Sequence, residues 1–240
     1  MNIGVKELIA DSDTQAKGMK MIADRVDSAA SVSMMDLSLE AEAFGSEIRV
    51  ADDEVPTVIG SIVNSPEDAE ALKVPTIEGR PQTYIDAIEK ACKLITDRPV
   101  FAGVIGPFSL AGRLMGVSEA MIYCYTEPEM AKTTLEKATE FLIKYINAYK
   151  AIGAHGVVMA EPLAGILSPP LIAEFSTPYV KQIVEATQTD EFLVIYHNCG
   201  NSTIHLIDSI LESGAAAYHF GNAIDMEEMM QHIPADTVAM

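Results

Sequence analysis

Phe192-Leu-Val-Ile-Tyr-His-Asn-Cys-Gly-Asn201 is an apolar run that ends in a histidine and a cysteine two residues apart. An apolar run of this length is typical of a buried strand, and side chains at positions i and i+2 of a strand project to the same side. His197 and Cys199 can therefore converge on one point, and that point can hold a metal ion. Taken alone the pair is a weak signal, because a free cysteine usually packs as a small hydrophobic residue.

Outward from this run, apolar strands alternate with amphipathic helices along most of the chain. Six candidate strands lie near residues 29, 100, 156, 192, 215 and 237, and the sixth ends with the chain. The strands are apolar on both faces, as is typical of the parallel sheets of α/β proteins. The pattern therefore predicts an α/β fold with a parallel sheet.

A TIM barrel accounts for this alternation better than an open sheet does. A closed eight-stranded (β/α)8 barrel takes ~250 residues, and here a predicted hairpin near 45–60, with the acidic turn Ala51-Asp-Asp-Glu54, is inserted after the first strand. The sequence predicts a single TIM-barrel domain over 1–240 that is incomplete and contains about six of the eight strands. An open doubly wound sheet is the alternative, but no Gly-x-Gly-x-x-Gly turn follows any strand.

Composition excludes several kinds of partner. The net charge of −19 opposes binding to phosphate backbones and to anionic membrane surfaces, so we expect neither nucleic acid nor membrane as a partner. No apolar run approaches the ~20 residues that a membrane-spanning helix requires. The three cysteines lie far apart and no basic-then-apolar leader precedes Asp11, which predicts a reduced, cytoplasmic protein.

Two positions near the start of the chain are candidate helix caps. Ser12 or Asp13 is a candidate N-cap for a helix that runs to about Val26. Asp36 follows the first strand, and it is as typical of a helix cap as of a functional carboxylate.

Polar residues cluster at the predicted carboxyl ends of the strands, where the active site of a TIM barrel lies. They are Asp36, Ser109, Arg113, Glu161, His197, Cys199 and His219. We expect them to form a ring around one site, although Glu161 is equally compatible with an ordinary polar loop.

Four stretches resemble one known family. They are Ser33-Met-Met-Asp-Leu-Ser-Leu-Glu-Ala-Glu-Ala-Phe-Gly45, Gly103-Val-Ile-Gly-Pro-Phe-Ser-Leu-Ala-Gly112, Glu161-Pro-Leu-Ala-Gly-Ile-Leu-Ser-Pro169 and Tyr196-His-Asn-Cys-Gly200. Together they are similar to the uroporphyrinogen decarboxylase superfamily, and more narrowly to its zinc-dependent branch, the methylcobamide:coenzyme M methyltransferases. The similarity covers nearly all of residues 20–240, and it implies a barrel fold.

The resemblance implies a zinc site and a methyl transfer. His197 and Cys199 match the first two zinc ligands of that branch, and the resemblance places the third protein ligand beyond Met240. It also implies a methylcobamide carried by a corrinoid partner protein and a small thiol or folate as the methyl acceptor. The function implied is transfer of a methyl group from the corrinoid protein to that acceptor.

Further roles are expected for the polar residues at the strand ends. We expect Glu161 and Asp36 to act as catalytic carboxylates that order the zinc ligands. We expect Asp36, Ser109, Arg113 and His219 to bind substrate.

Two alternatives of other classes stay open. The first is a decarboxylase of tetrapyrrole biosynthesis, in which Asp36 matches the aspartate that binds the pyrroles. Against it, Arg113 stands where decarboxylases carry a tyrosine, and Pro162 where they carry a serine. The second is a non-catalytic relative that binds a corrinoid or tetrapyrrole. The presence of zinc would distinguish the methyltransferase from the decarboxylase, because the decarboxylation requires no metal.

Overall fold

The computed structural model of the protein describes Met1 and residues 3–240. Its strands, in chain order, are β1 (Ser31–Val32), β2 (Glu47–Arg49), β3 (Thr57–Ile59), β4 (Val100–Ile105), β5 (Gly156–Ala160), β6 (Leu193–Asn198), β7 (Ala217–Phe220) and β8 (Val238–Ala239). Six of them form one parallel sheet in the order β1-β4-β5-β6-β7-β8, and β2 pairs with β3 in an antiparallel hairpin.

Two helices precede the first strand, and the others lie between strands of the parallel sheet. The helices are α1 (Val5–Ala10), α2 (Ser12–Ala23), α3 (Leu39–Ala43), α4 (Pro66–Ala71), α5 (Arg80–Leu94), α6 (Pro107–Met115), α7 (Val117–Thr126), α8 (Pro128–Ala151), α9 (Pro169–Phe175), α10 (Thr177–Thr187), α11 (Ile207–Leu211) and α12 (Met226–Met229). Two 3-10 helices, Pro162–Ile166 and Thr203–Leu206, follow β5 and β6.

The parallel sheet curls into a half-barrel whose edges, in the described chain, are β1 and β8. All six strands predicted from the apolar runs are present, and the sheet has the architecture of an incomplete TIM barrel. The prediction of an incomplete barrel is therefore confirmed, and the doubly wound alternative is set aside. Because all six strands of the sheet run parallel, their carboxyl ends lie together at one end of the half-barrel.

The first strand is shorter than predicted. The apolar run 29–35 indicates a strand of that length, but only Ser31 and Val32 belong to β1. The Ser33 hydroxyl accepts a hydrogen bond from the Gly103 N–H at 2.8 Å, so a side chain takes over from the backbone ladder at this point. Met35 then packs against Gly103, where an added Cβ would lie 2.9 Å from its sulfur atom.

The start of α2 also differs from the prediction. Neither Ser12 nor Asp13 caps this helix. Asp11 is the N-cap, because its Oδ1 accepts a hydrogen bond from the Thr14 N–H at 2.6 Å. Asp11 lies three residues before that N–H, which is the spacing a capping side chain requires.

The core lies between the sheet and the helices that cover its outer face. The longest helix, α8, buries the face that its apolar spacing predicts, which includes Leu135, Ala138, Leu142, Ile146 and Tyr149. Within the described residues, no helix combines the length and the apolar character that crossing a lipid bilayer would require.

A carboxyl group lies buried in this core without full hydrogen bonding. Glu40 on α3 is 1% exposed, and its Oε1 accepts a hydrogen bond from the Ile105 N–H at 3.1 Å. Its Oε2 has no hydrogen-bond partner in the described part of the chain. Burial is the main cause that raises the pKa of Glu40 to about 7. The sequence gives no sign of this, because Glu40 stands in an ordinary helical stretch.

We expect Glu40→Gln to change how stability depends on pH. The folded protein holds a proton on Glu40 up to about pH 7, whereas an unfolded glutamate loses it near 4.5. As pH rises through this window, the wild type therefore loses roughly 2 to 3 kcal/mol more stability than the variant, which lacks this titrating group. Urea unfolding at several pH values measures the difference.

Glu47→Gln is the matched control, because Glu47 is exposed on the hairpin. It should follow the wild type at every pH. Parallel stability curves for the wild type and Glu40→Gln would show that Glu40 is ionised in the folded protein throughout this range.

Candidate active site at the carboxyl ends of the strands

A cavity of about 690 Å³ lies inside the half-barrel at the ends of the strands. Its wall is mainly apolar, with Val32, Phe101, Val158 and Ile195 among the lining residues. The titratable side chains that line it are His197, Cys199 and His219. A concave, mostly apolar site with a few polar groups is the usual form of a small-molecule site.

The His-x-Cys pair reaches this cavity as the strand period requires. Side chains alternate along β6, so Ile195 and His197 face the cavity while Tyr196 and Asn198 are buried on the other side. Cys199 follows on the same side as His197 and lines the same cavity. The structure therefore brings together the two residues that the sequence predicts as metal ligands.

His219 stands beside His197 on the neighbouring strand. The two residues are opposite each other in the register of β6 and β7, and their Nδ1 atoms lie 2.7 Å apart. The His197 Nδ1 also lies 3.1 Å from the His219 carbonyl oxygen. Burial, and then the nearby imidazole, lower the pKa of His197, which favours its neutral form. A neutral imidazole is the form that binds metals.

The donor set of the cavity is incomplete for a metal. Imidazole nitrogen and thiol sulfur are donors that zinc prefers, and a catalytic zinc has three protein ligands. Among the described residues, no three His, Cys, Asp or Glu side chains are grouped so that they could hold a metal ion. The chemistry of the pair fits zinc, and the described residues supply two donors.

Asn198 holds the segment that carries Cys199. Its side chain is fully buried; its Nδ2 donates to the Glu161 carbonyl at 2.8 Å, and its Oδ1 accepts from the Gly200 N–H at 2.8 Å. Gly165 packs so closely that an added Cβ would lie 2.3 Å from the Asn198 Oδ1. Sequence reasoning missed Asn198, although its place between His197 and Cys199 puts it on the opposite face of the strand.

Glu161 lies below the cavity and does not line it. Its carboxylate is fully buried and accepts hydrogen bonds from the N–H groups of Phe108 at 2.9 Å and Ser109 at 2.6 Å, in the first turn of α6. Burial is the main cause that raises the pKa of Glu161 to about 7, and hydrogen bonds from Ser109 and Phe108 oppose it. Glu161 therefore caps α6 from another strand, where the helix dipole favours negative charge.

Ser109 belongs to the same buried junction. It is 1% exposed, and its hydroxyl oxygen accepts a hydrogen bond from the Leu163 N–H at 3.1 Å. The structure does not bring Ser109 to the cavity wall with His197 and Cys199. Its predicted role in substrate binding has no support from this position.

Asp36 is also occupied by hydrogen bonds within the protein. Its Oδ1 accepts from the N–H and the hydroxyl of Ser38, at 3.0 and 2.7 Å. Its Oδ2 accepts from the Arg80 Nη1 at 2.7 Å and from the Tyr84 hydroxyl at 2.9 Å. Asp36 does not line the large cavity, so the expected ring of seven polar residues does not form as one group around it.

Arg113 lies in a second cavity rather than in the first. This smaller cavity, of about 280 Å³, lies between the β2-β3 hairpin, the segment after β1, and α6. Met35 and Leu37 line both cavities, so the two adjoin.

The sequence profile of the uroporphyrinogen decarboxylase (URO-D) family matches residues 1–240. The chain belongs to the uroporphyrinogen decarboxylase family. The predicted family is therefore confirmed.

Curated members of this family that resemble the chain include enzymes of two kinds. The methylated-thiol--coenzyme M methyltransferase of Methanosarcina mazei is 29% identical over 77% of this chain and 50% of its own length. The methylcobamide:CoM methyltransferase MtbA of Methanosarcina acetivorans is 30% identical over 70% of this chain and 51% of its own length. The uroporphyrinogen decarboxylase of Coxiella burnetii is 29% identical over 64% of this chain and 44% of its own length. The chain spans about half the length of the curated relatives it matches.

A solved structure shows the same URO-D fold. A methyltransferase from Methanosarcina mazei superposes with a TM-score of 0.88 at 22% identity, covering 99% of this chain and 71% of that chain. The likeness extends over the whole half-barrel and supports the assignment of an incomplete barrel.

We expect Glu161→Gln to lower the free energy of unfolding at a pH where the wild-type carboxylate is ionised. The amide has one acceptor oxygen, so either the Phe108 or the Ser109 N–H loses its partner in a buried place. One unsatisfied buried donor costs roughly 2 kcal/mol. Urea denaturation followed by circular dichroism measures the loss.

Glu191→Gln provides the control, because Glu191 is exposed just before β6. It should leave the free energy of unfolding unchanged. An equally stable Glu161→Gln protein would mean that the carboxylate does not hold α6 in place.

Proposed function

We propose that this chain is the barrel part of a methyltransferase that moves a methyl group from a methylated corrinoid protein to a small acceptor, with zinc held by His197 and Cys199. The observation that carries the proposal is that these two side chains line one cavity at the carboxyl end of the sheet. The coenzyme M methyltransferases among the relatives support the reaction class.

The acceptor in this proposal is a thiol, with a folate as the alternative. Zinc, when bound, stabilises the thiolate form of a thiol and so makes its sulfur nucleophilic. The third protein ligand is proposed to lie beyond Met240. In support, Met240 itself lines the cavity, so a chain that continued past β8 would begin at the site.

The residues of this chain would act by binding and by orientation. The apolar wall would hold a reacting thiol near His197 and Cys199. Asn198 fixes the loop that carries Cys199, through its bonds to Glu161 and Gly200.

The two carboxylates predicted as catalytic receive a different role in this proposal. Neither Glu161 nor Asp36 lines the cavity, so we assign both to positioning. The Glu161 N–H donates to the His197 carbonyl at 2.8 Å, which ties the end of β5 to the metal-binding strand. Asp36 holds Arg80 and Tyr84 against the segment after β1. His219, which touches His197, is proposed to contact substrate in the cavity.

A decarboxylase acting on a tetrapyrrole is the second candidate. The family profile and the Coxiella burnetii relative favour it. The Asp36 carboxylate, which would bind the pyrroles, has both oxygens engaged by Ser38, Arg80 and Tyr84. This occupancy is the reason for preferring the methyltransferase.

A metal titration tests the proposal directly. We expect the 240-residue chain to bind Zn²⁺ weakly in calorimetry, because two donors are present. His197→Ala or Cys199→Ser should weaken binding by more than about tenfold, since even residues that only support a metal ligand contribute that much. Co²⁺ in place of zinc should give a thiolate-to-metal charge-transfer absorption that disappears in Cys199→Ser.

Cys92→Ser is the matched thiol control, because Cys92 packs in α5 away from the cavity. It should keep both the Zn²⁺ affinity and the Co²⁺ absorption of the wild type. Tight stoichiometric zinc in the 240-residue chain would show that a third ligand is already present. Metal binding that Cys199→Ser leaves unchanged, together with release of CO₂ from a tetrapyrrole without metal, would establish the decarboxylase instead.

A further inference from the structure

Among the residues that the structure describes, Arg113 is half-buried and its buried Nε has no hydrogen-bond partner. Of the chain's five arginines, Arg25 and Arg49 are exposed and so remain hydrated. Arg80 binds Asp36 and Glu42, and Arg98 binds Asp97 and a backbone carbonyl. Arg113 is half-buried, and among the described residues it forms no ion pair and its buried Nε has no hydrogen-bond partner.

This arrangement is costly unless something binds there. A buried donor without an acceptor loses its hydration and gains nothing in return, and the loss is greater for a charged group. Burial lowers the pKa of Arg113, and no neighbouring carboxylate opposes the effect. The chain has 35 acidic residues, yet none of those that the structure describes forms an ion pair with Arg113. The guanidinium is therefore free to bind an external anion.

The cavity that Arg113 lines has the character of a pocket for one acidic group. None of its lining residues is acidic, and the polar ones besides Arg113 are Ser38 and Thr57. Asp36, which stands between the lining residues Met35 and Leu37 in sequence, forms an ion pair with Arg80 at 2.7 Å. The Ser38 hydroxyl already donates to Asp36, so Arg113 is the main donor that the pocket offers.

We infer that Arg113 forms an anion-binding subsite that takes the acidic end of a small organic acid, as a carboxylate, sulfonate or phosphate group. The guanidinium fork matches the geometry of all three groups. The subsite adjoins the large cavity through Met35 and Leu37. We place the rest of that molecule, with its methyl-accepting atom, in the large cavity. This second assignment rests on the proposed function, whereas the anion-binding subsite does not.

The Arg113 Nε–H group itself reports binding in an NMR titration. In the ¹⁵N-labelled 240-residue chain, its resonance is identified by its absence from Arg113→Met. Propionate, ethanesulfonate and inorganic phosphate are each added at constant ionic strength, with chloride as the reference salt and propanol as the uncharged analogue. We expect at least one of the three acids to shift this resonance in a saturable manner, while chloride and propanol leave it in place.

Matched variants separate a specific subsite from general attraction to positive charge. In every variant, binding is measured from the shifts of the backbone amide resonances of Ser38 and Thr57. Arg113→Met should lower the affinity for the anion by about tenfold or more, which is the loss expected for a hydrogen bond to a charged group. Arg113→Lys should retain part of the affinity. Arg25→Met removes an exposed arginine and should bind as the wild type does.

Two results would overturn the inference. One is an Arg113 resonance that no acid shifts in a saturable manner, and the other is an Arg113→Met protein that binds the anion as tightly as the wild type. Neither readout requires methyl transfer or zinc, so failure of the anion subsite is distinguishable from failure of the proposed reaction.

Discussion

Glu161 joins the three elements on which the site depends. Its carboxylate accepts hydrogen bonds from two N–H groups of α6, its own N–H donates to the His197 carbonyl, and its carbonyl accepts from the Asn198 Nδ2. One buried residue at the end of β5 thereby fixes the first turn of a helix and the end of the neighbouring strand. Burying a carboxylate is unfavourable in itself, and the N–H groups of the helix N-terminus offset only part of this cost, because the pKa of Glu161 remains raised.

The parallel register decides what faces the cavity. Ala160, His197 and His219 lie in one row across β5, β6 and β7. The small side chain of Ala160 leaves open space beside His197, and the imidazole of the next strand fills the other side. All three residues line the cavity, so this row forms part of its wall.

Much of this arrangement follows from periodicity along the chain. The six apolar runs predicted the six strands, and the two-residue spacing of His197 and Cys199 predicted that both face one side. The same alternation, applied to Glu161 after the cavity-facing Ala160, indicates a side chain directed away from the cavity. The sequence interpretation relied on position at a strand end and so expected Glu161 at the site.

Other features depend on contacts that no local pattern specifies. Asp36 is engaged by Arg80, which lies 44 residues away along the chain, and this pairing cannot be deduced from either neighbourhood alone. The lack of an ion-pair partner for Arg113 in the described part of the chain is likewise a property of the fold, since it depends on where the acidic residues lie in space. The role of Asn198 likewise depends on its hydrogen bonds to Glu161 and Gly200, and the bond to Glu161 joins residues that are far apart in sequence.

The two buried carboxyl groups have a thermodynamic consequence for any calorimetric study of this chain. Glu40 and Glu161 each hold a proton to about pH 7 in the folded state, whereas free glutamate releases it near 4.5. Unfolding in mildly acidic solution therefore delivers protons to the medium. The heat absorbed at the transition then includes the ionisation enthalpy of the buffer, so phosphate and an amine buffer at the same pH would yield different apparent enthalpies for one and the same transition.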